Sequence, residues 1–151
     1  MNATTSHHAL HTAAAAMTPD RSAARAPRLV WVFQILAAAI LGMTLPFKFT
    51  AAPETVALFD ALGAGAAGRL GTAVLETFAV VMLLTPRLAA IGGALTVGLM
   101  SGAIFSHLTV LGIVWDGDAS LFTMAVVGLL AGTAVAWLRR RELPIVGPRL
   151  R

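Results

Sequence analysis

Four uninterrupted apolar runs constrain this chain more than any other feature: Leu29 to Leu45, Leu70 to Leu84, Leu88 to Leu108 and Leu121 to Leu138. Each is about 15 to 21 residues long, and as a helix rising 1.5 Å per residue each covers roughly 22 to 32 Å, close to the hydrocarbon thickness of a bilayer. The second extends upstream through the small residues from Gly65 to Gly68. Burial inside a soluble fold is a poor alternative. Hydrophobic residues make up 58% of the 151 residues and charged ones 12%, against about 45 to 50% and about 25% in soluble domains. A domain this small leaves too much of its surface wet to hide that excess. The expected fold class is an all-α membrane protein, a four-helix transmembrane bundle.

Punctuation between the runs supports helices. Pro46 is expected to end the first span, and Pro86 separates the second from the third. The Thr85-Pro86-Arg87 connection is short enough to make those two an antiparallel hairpin. Asp118 or Ser120 can cap the fourth span, and Pro144 follows its end. Between spans one and two, residues 53–62 open with Pro-Glu and close before Gly63, which reads as a short interfacial helix with Val56, Phe59 and Leu62 on its apolar side. Residues 1–27 show neither apolar periodicity nor an apolar run and are expected to be a disordered tail. Residues 28–143 then form the transmembrane domain and 144–151 a basic tail. The first run lacks a convincing cleavage site and is followed by three more, so it reads as a retained span.

Orientation follows from the basic residues. Arg21, Arg25, Arg28, Arg87, Arg139, Arg140, Arg141, Arg149 and Arg151 fall on one side, and only Lys48 and Arg69 on the other. The positive-inside rule puts both termini in the cytoplasm. Small residues at four-residue spacing, Ala90, Ala94, Gly98, Gly102 and Ser106 in span three and Gly128, Gly132 and Ala136 in span four, are expected to be helix seams inside the bundle, with self-association as the alternative.

Several chemistries are excluded. With no Cys, thiolate zinc sites, iron–sulfur clusters and thiol relays are out of reach. The net charge of +4 lies in the two tails with no basic stripe interleaved with aromatics, so nucleic acid is not an expected partner. His7, His8 and His11 lie in the tail without Cys or carboxylate beside them, and no metal site is expected there. His107 is the only other His, too few for a bis-histidine haem, and one intramembrane Glu cannot build a di-iron bundle.

The polar residues inside the spans need an explanation. Glu76 stands about seven residues into span two, roughly 10 Å below its outer end, and a charge at the centre of an inserted helix costs on the order of 2.5 to 3.5 kcal/mol. It is therefore either a protonated acid or half of an ion pair. Arg69 is two turns away on the same face, and the long stem of Lys48 lets its ammonium reach that level from span one. The helix directions bring His107 and Asp118 to the same outer half, while the inner half offers only Gln34. Two functions fit: a buried clamp between spans one and two, or a ligand or proton site. Asp118 has the further alternative of a plain helix cap.

The motifs Leu-Pro-Phe-Lys-Phe-Thr-Ala-Ala-Pro-Glu at 45–54, Gly71 and Glu76 followed by Leu-Leu-Thr-Pro, Met-Ser-Gly-Ala-Ile-Phe-Ser-His-Leu at 100–108, and Leu-Gly-Ile then Asp-Gly-Asp at 111–118 make the chain resemble the DoxX family of small four-helix bacterial membrane proteins over about residues 28–145. Lys48, Glu54, Glu76 and His107 fall in those segments. The resemblance implies a bacterial inner-membrane location and a link to quinone chemistry, with the chain an accessory subunit of a quinone-linked redox or redox-defence complex. Its partners would be the bilayer, a soluble or membrane redox protein, and a second copy of itself. On that expectation Lys48, Glu76, His107 and Asp118 surround an outward-facing polar cavity. Glu76 exchanges the proton that accompanies ring reduction, and Lys48 and His107 donate to the ring carbonyls. The rivals are a proton-coupled transport component, which with four spans would need at least a dimer, and an assembly partner without a ligand.

Overall fold

The computed structural model describes residues 21–140, with side chains from residue 28 onward. The tail histidines and the 144–151 tail lie outside the described residues. Five helices follow one another: α1 (Arg21–Phe49), α2 (Pro53–Ala61), α3 (Gly65–Leu84), α4 (Ala89–Ser106), which widens into a π-helical turn at His107–Leu111, and α5 (Ser120–Leu138). Four of them contain segments long and apolar enough to cross a membrane: Arg28–Phe49, Gly65–Leu84, Ala89–Leu111 and Ser120–Leu138. The tail expectation needs one correction, because residues 21–27 are already the first turns of α1.

Pro46 does not end the first helix, which continues to Phe49. A proline removes one backbone bond and presses on the carbonyl four residues back. Here that residue is Gly42, around which even an added Cβ would meet nothing. The helix stops where Ala51 takes a left-handed conformation, φ 54°. There the Ala52 N–H bonds the Phe47 carbonyl at 3.0 Å, the outer bond of a Schellman turn. Those extra residues keep Lys48 on the helix and on the same face as Thr44. Pro53 then opens α2 at its first turn.

The faces that pack are narrow. In α1 the buried positions Val30, Gln34, Ala37 and Leu41 follow steps of four, three and four, and in α3 Arg69, Ala73, Glu76, Ala79 and Leu83 follow steps of four, three, three and four, so each helix buries one face. α1 lies against α3 and α5, α3 against α4, and α4 against α5. Large apolar side chains such as Val32, Ile35, Met43, Val74, Phe78, Val81, Phe105 and Leu130 face outward, while much of the core is Ala. Small inside and large outside is what helices do when the solvent is as apolar as Leu.

The expected small-residue seam of span three holds at Ala90, which is buried, and is corrected beyond it. An added Cβ at Gly98 or Gly102 would meet nothing within 4 Å, and both face outward with Ala94. The packed line is Ala89, Ala90, Gly92, Gly93, Thr96 and Met100. At about 100° per residue a strict four-residue repeat drifts about 40° per step around a helix, whereas mixed steps of three and four hold one face. The expected seam at Gly128 and Gly132 of α5 does pack. A Cβ there would stand 2.9 Å from Met100 Sδ and 3.0 Å from Thr96 Cβ, respectively.

Candidate functional site

The buried stripes of α1 and α3 bring three polar side chains together near the end of the bundle where α2 sits. The Lys48 ammonium lies 2.6 Å from Glu76 Oε2 and 2.8 Å from Oε1, and it donates to Thr44 Oγ1 at 2.9 Å. The two charged side chains are 13% and 6% exposed. An ammonium has three N–H donors and no acceptor, so Lys48 is fully committed within this cluster. Thr44 Oγ1 stands 2.9 Å from the Leu41 carbonyl and 3.1 Å from Glu76 Oε2, and its one proton serves these two acceptors in turn. Thr44 escaped the sequence analysis. Its signal was its place four residues before Lys48 on one helix face.

Arg69, one heptad before Glu76 on the same stripe, is buried and donates from Nη1 to the Lys48 carbonyl. That oxygen belongs to the last turn of α1, where carbonyls lack intrahelical partners and carry partial negative charge. Lys48 is thus held at both ends, its ammonium by Glu76 and its carbonyl by Arg69. Both partners come from α3.

The remaining candidates stand apart from this cluster. His107 is buried, and its Nδ1 lies 2.7 Å from the Gly112 carbonyl. Because a carbonyl only accepts, Nδ1 carries the proton, and in the neutral ring Nε2 keeps its lone pair. The ring meets Phe122 of α5 edge-on, 5.7 Å between centroids. The π turn wraps this histidine and ends at Gly112, φ 79°. Asp118 is exposed. It follows a tight turn, with Asp116 and Gly117 at φ 52° and 78° and two backbone bonds between Trp115 and Asp118, the Asp-Gly signature of a hairpin turn. Its carboxylate takes the Ser120 N–H at 2.8 Å and the Ser120 hydroxyl at 2.5 Å. The Ser120 hydroxyl, then the Ser120 and Ala119 N–H groups, hold the carboxyl below its ordinary range. Asp118 thus holds the first residue of α5 from one position before the N-cap, Ala119, and the helix has no side-chain bond from the N-cap itself. Glu54 is exposed on α2.

At the other end of the bundle Gln34 donates from Nε2 to the Leu83 carbonyl, and its Oε1 is enclosed with no partner. Leu83 lies in the last turn of α3, just before Pro86, so its carbonyl has no helical N–H to receive. Gln34 supplies the missing donor across the helix pair. Among the described residues no three His, Asp or Glu side chains gather as metal ligands.

No family model, curated protein or solved structure matches the chain.

Proposed function

We propose that this chain is a multi-pass integral membrane protein acting as an accessory subunit, without bond-making chemistry of its own, in a quinone-linked redox complex. The single observation behind the accessory role is the closed Lys48–Glu76–Thr44 cluster between α1 and α3. Every Lys48 donor is spent inside it, and both Glu76 oxygens are occupied. A group meant to exchange protons with a ligand needs an open side. A clamp needs none. Polar residues that bond across helices hold register in an apolar solvent, where packing alone discriminates weakly between neighbouring registers. The quinone link and the bacterial inner membrane with cytoplasmic termini come from the family resemblance and from the arginine distribution.

The test is co-purification from native membranes, followed by exchange of the cluster for an apolar pair, Lys48→Met with Glu76→Leu. An accessory subunit held by a clamp keeps its redox partner and the cellular activity of that partner after the exchange. A folded double variant that loses both would point to the charges themselves as the working groups.

A second reading has its own observation. His107 is buried within a π turn, with Nδ1 bonded and Nε2 free to accept, and such turns recur at functional sites. A quinol hydroxyl could donate to that nitrogen, with the apolar outer faces covering the isoprenoid tail. Extraction of the purified protein should then yield quinone that His107→Phe fails to retain. Equal quinone content in the two would remove this reading.

A further inference from the structure

Arg69 is 8% exposed, yet the only hydrogen-bond partner it has among the described residues is a neutral carbonyl, Lys48 O through Nη1. Among the described residues no carboxylate stands within ion-pair reach of it. Glu76, one heptad away on the same stripe, is committed to Lys48. The outer cluster therefore holds two cations and one anion, a net charge of +1 in largely apolar surroundings. A guanidinium carries five N–H donors and keeps its proton, so it cannot relieve an uncompensated position by neutralising itself as a lysine can. Burying such a charge unpaired is among the most costly arrangements a fold can hold.

The free edge is reachable. Gln34 Oε1 is enclosed with no partner, but no Arg69 nitrogen is both enclosed and unbonded. The donors other than Nη1 therefore keep some access to the surroundings. Arg69 is the fifth residue of α3, and helical side chains lean towards the N-terminus, so it lies along the first turn. That turn consists of Gly65, Ala66, Ala67 and Gly68, with no side-chain cap and no acidic residue. Asp60 is the charged neighbour of this turn, with Oδ1 3.9 Å from where a Gly65 Cβ would stand. It is exposed and forms no ion pair with Arg69.

The structure assigns to Arg69 an oxyanion site of the phosphate type: a buried stem fixed by the Lys48 carbonyl, and a guanidinium edge that presents its remaining donors to a ligand at the start of α3. A planar fork suits two oxygens of one phosphate. The shared chemistry is the phosphate, whether of a phospholipid headgroup or free in solution, and either neutralises the surplus charge. The site stands independently of the accessory and quinone readings above.

The protein purified in mild detergent is examined by native mass spectrometry through graded delipidation with phosphatidylglycerol present. In parallel, its thermal unfolding is followed against inorganic phosphate at constant ionic strength. Each is repeated for Arg69→Gln and Arg69→Lys. Retention of phosphatidylglycerol by the wild type and its loss in Arg69→Gln supports a headgroup site. No retained lipid, but a melting temperature that rises with phosphate only in the wild type, supports a free oxyanion. Arg69→Lys keeps the charge and loses the fork, and should bind roughly tenfold more weakly, the worth of one charge-assisted bond. It takes the place of Arg69→Gln if that variant does not fold. A wild type that neither retains lipid nor responds to phosphate, or variants that match it in both, overturns the assignment.

Discussion

The α1–α3 and α4–α5 contacts solve one problem in opposite ways. Between α4 and α5 the backbones come so close that a Cβ on Gly93 would sit 2.8 Å from Ala136 N and 2.9 Å from Gly132 O. Between α1 and α3 the contact is fastened by side chains, with the Lys48–Glu76–Thr44 cluster at one end and Gln34 on the Leu83 carbonyl at the other. Helices in an apolar solvent gain little from hiding apolar surface, which leaves close packing and hydrogen bonding as the available forces. Each contact uses mainly one of them. The lesson is that deletion should harm the polar contact and addition the glycine contact.

The largest expected effect is on the polar side. Glu76→Leu leaves the Lys48 ammonium enclosed without its counterion and should cost about 3 to 5 kcal/mol of stability, the usual penalty for breaking a buried pair. Chemical unfolding in detergent, read by helical circular dichroism, checks it. A cost below about 1 kcal/mol, the range of exposed pairs, would show that the pair is solvated. Next is Gly93→Ala, in which a single methyl meets two backbone atoms that cannot swing aside. Overpacking of that kind costs about 1 to 3 kcal/mol, and the loss should appear in the same unfolding assay. An unchanged midpoint would mean that α4 and α5 are further apart than the glycine geometry requires.

The same substitution on the opposite face of α4 sharpens the contrast. Gly98→Ala adds a methyl that meets nothing and replaces a poor helix former by the best, so it should be neutral or stabilising by up to about 1 kcal/mol. Destabilisation would show that another chain covers this face. The smallest effect concerns Asp118. Its carboxyl is held below the ordinary range by Ser120, so its contribution to the start of α5 is complete above the ordinary carboxylate range. That contribution is lost as the pH falls through the lowered value. The Ser120 amide resonance should report a titration midpoint below that of a free aspartate, and a midpoint at or above it would show that the bonds from Ser120 do not hold the Asp118 carboxylate.

These outcomes also bear on what the sequence could reveal. The four long helices were legible because apolar length is a one-dimensional property, and Lys48 was legible as one of two cations within reach of Glu76, which the sequence left as either a protonated acid or half of an ion pair. The seam on α4 was misplaced because a repeat of four looks like one face on paper and winds around the helix in space. Pro46 was misread because the helix stop lies in the backbone at Ala51, whose left-handed conformation is not written in its residue type. Lys48, Glu76, His107 and Asp118 shared a level in the sequence, yet only the first two meet. His107 and Asp118 are claimed by Gly112 and Ser120, partners two to five residues away, and such local bonds win because they close short loops at little entropic cost. Arg69 was noticed for its face. Its lack of a counterion could be known only once Glu76 was seen to be taken.

The central claim is that Lys48 and Glu76 act on each other as one buried unit that fastens α1 to α3. A double-mutant cycle in unfolding free energy, with Lys48→Met, Glu76→Leu and the two together, measures that coupling directly. The account predicts two costly single variants and a double variant more stable than Glu76→Leu alone, because the apolar pair no longer strands a charge. Single costs that add in the double variant would contradict it.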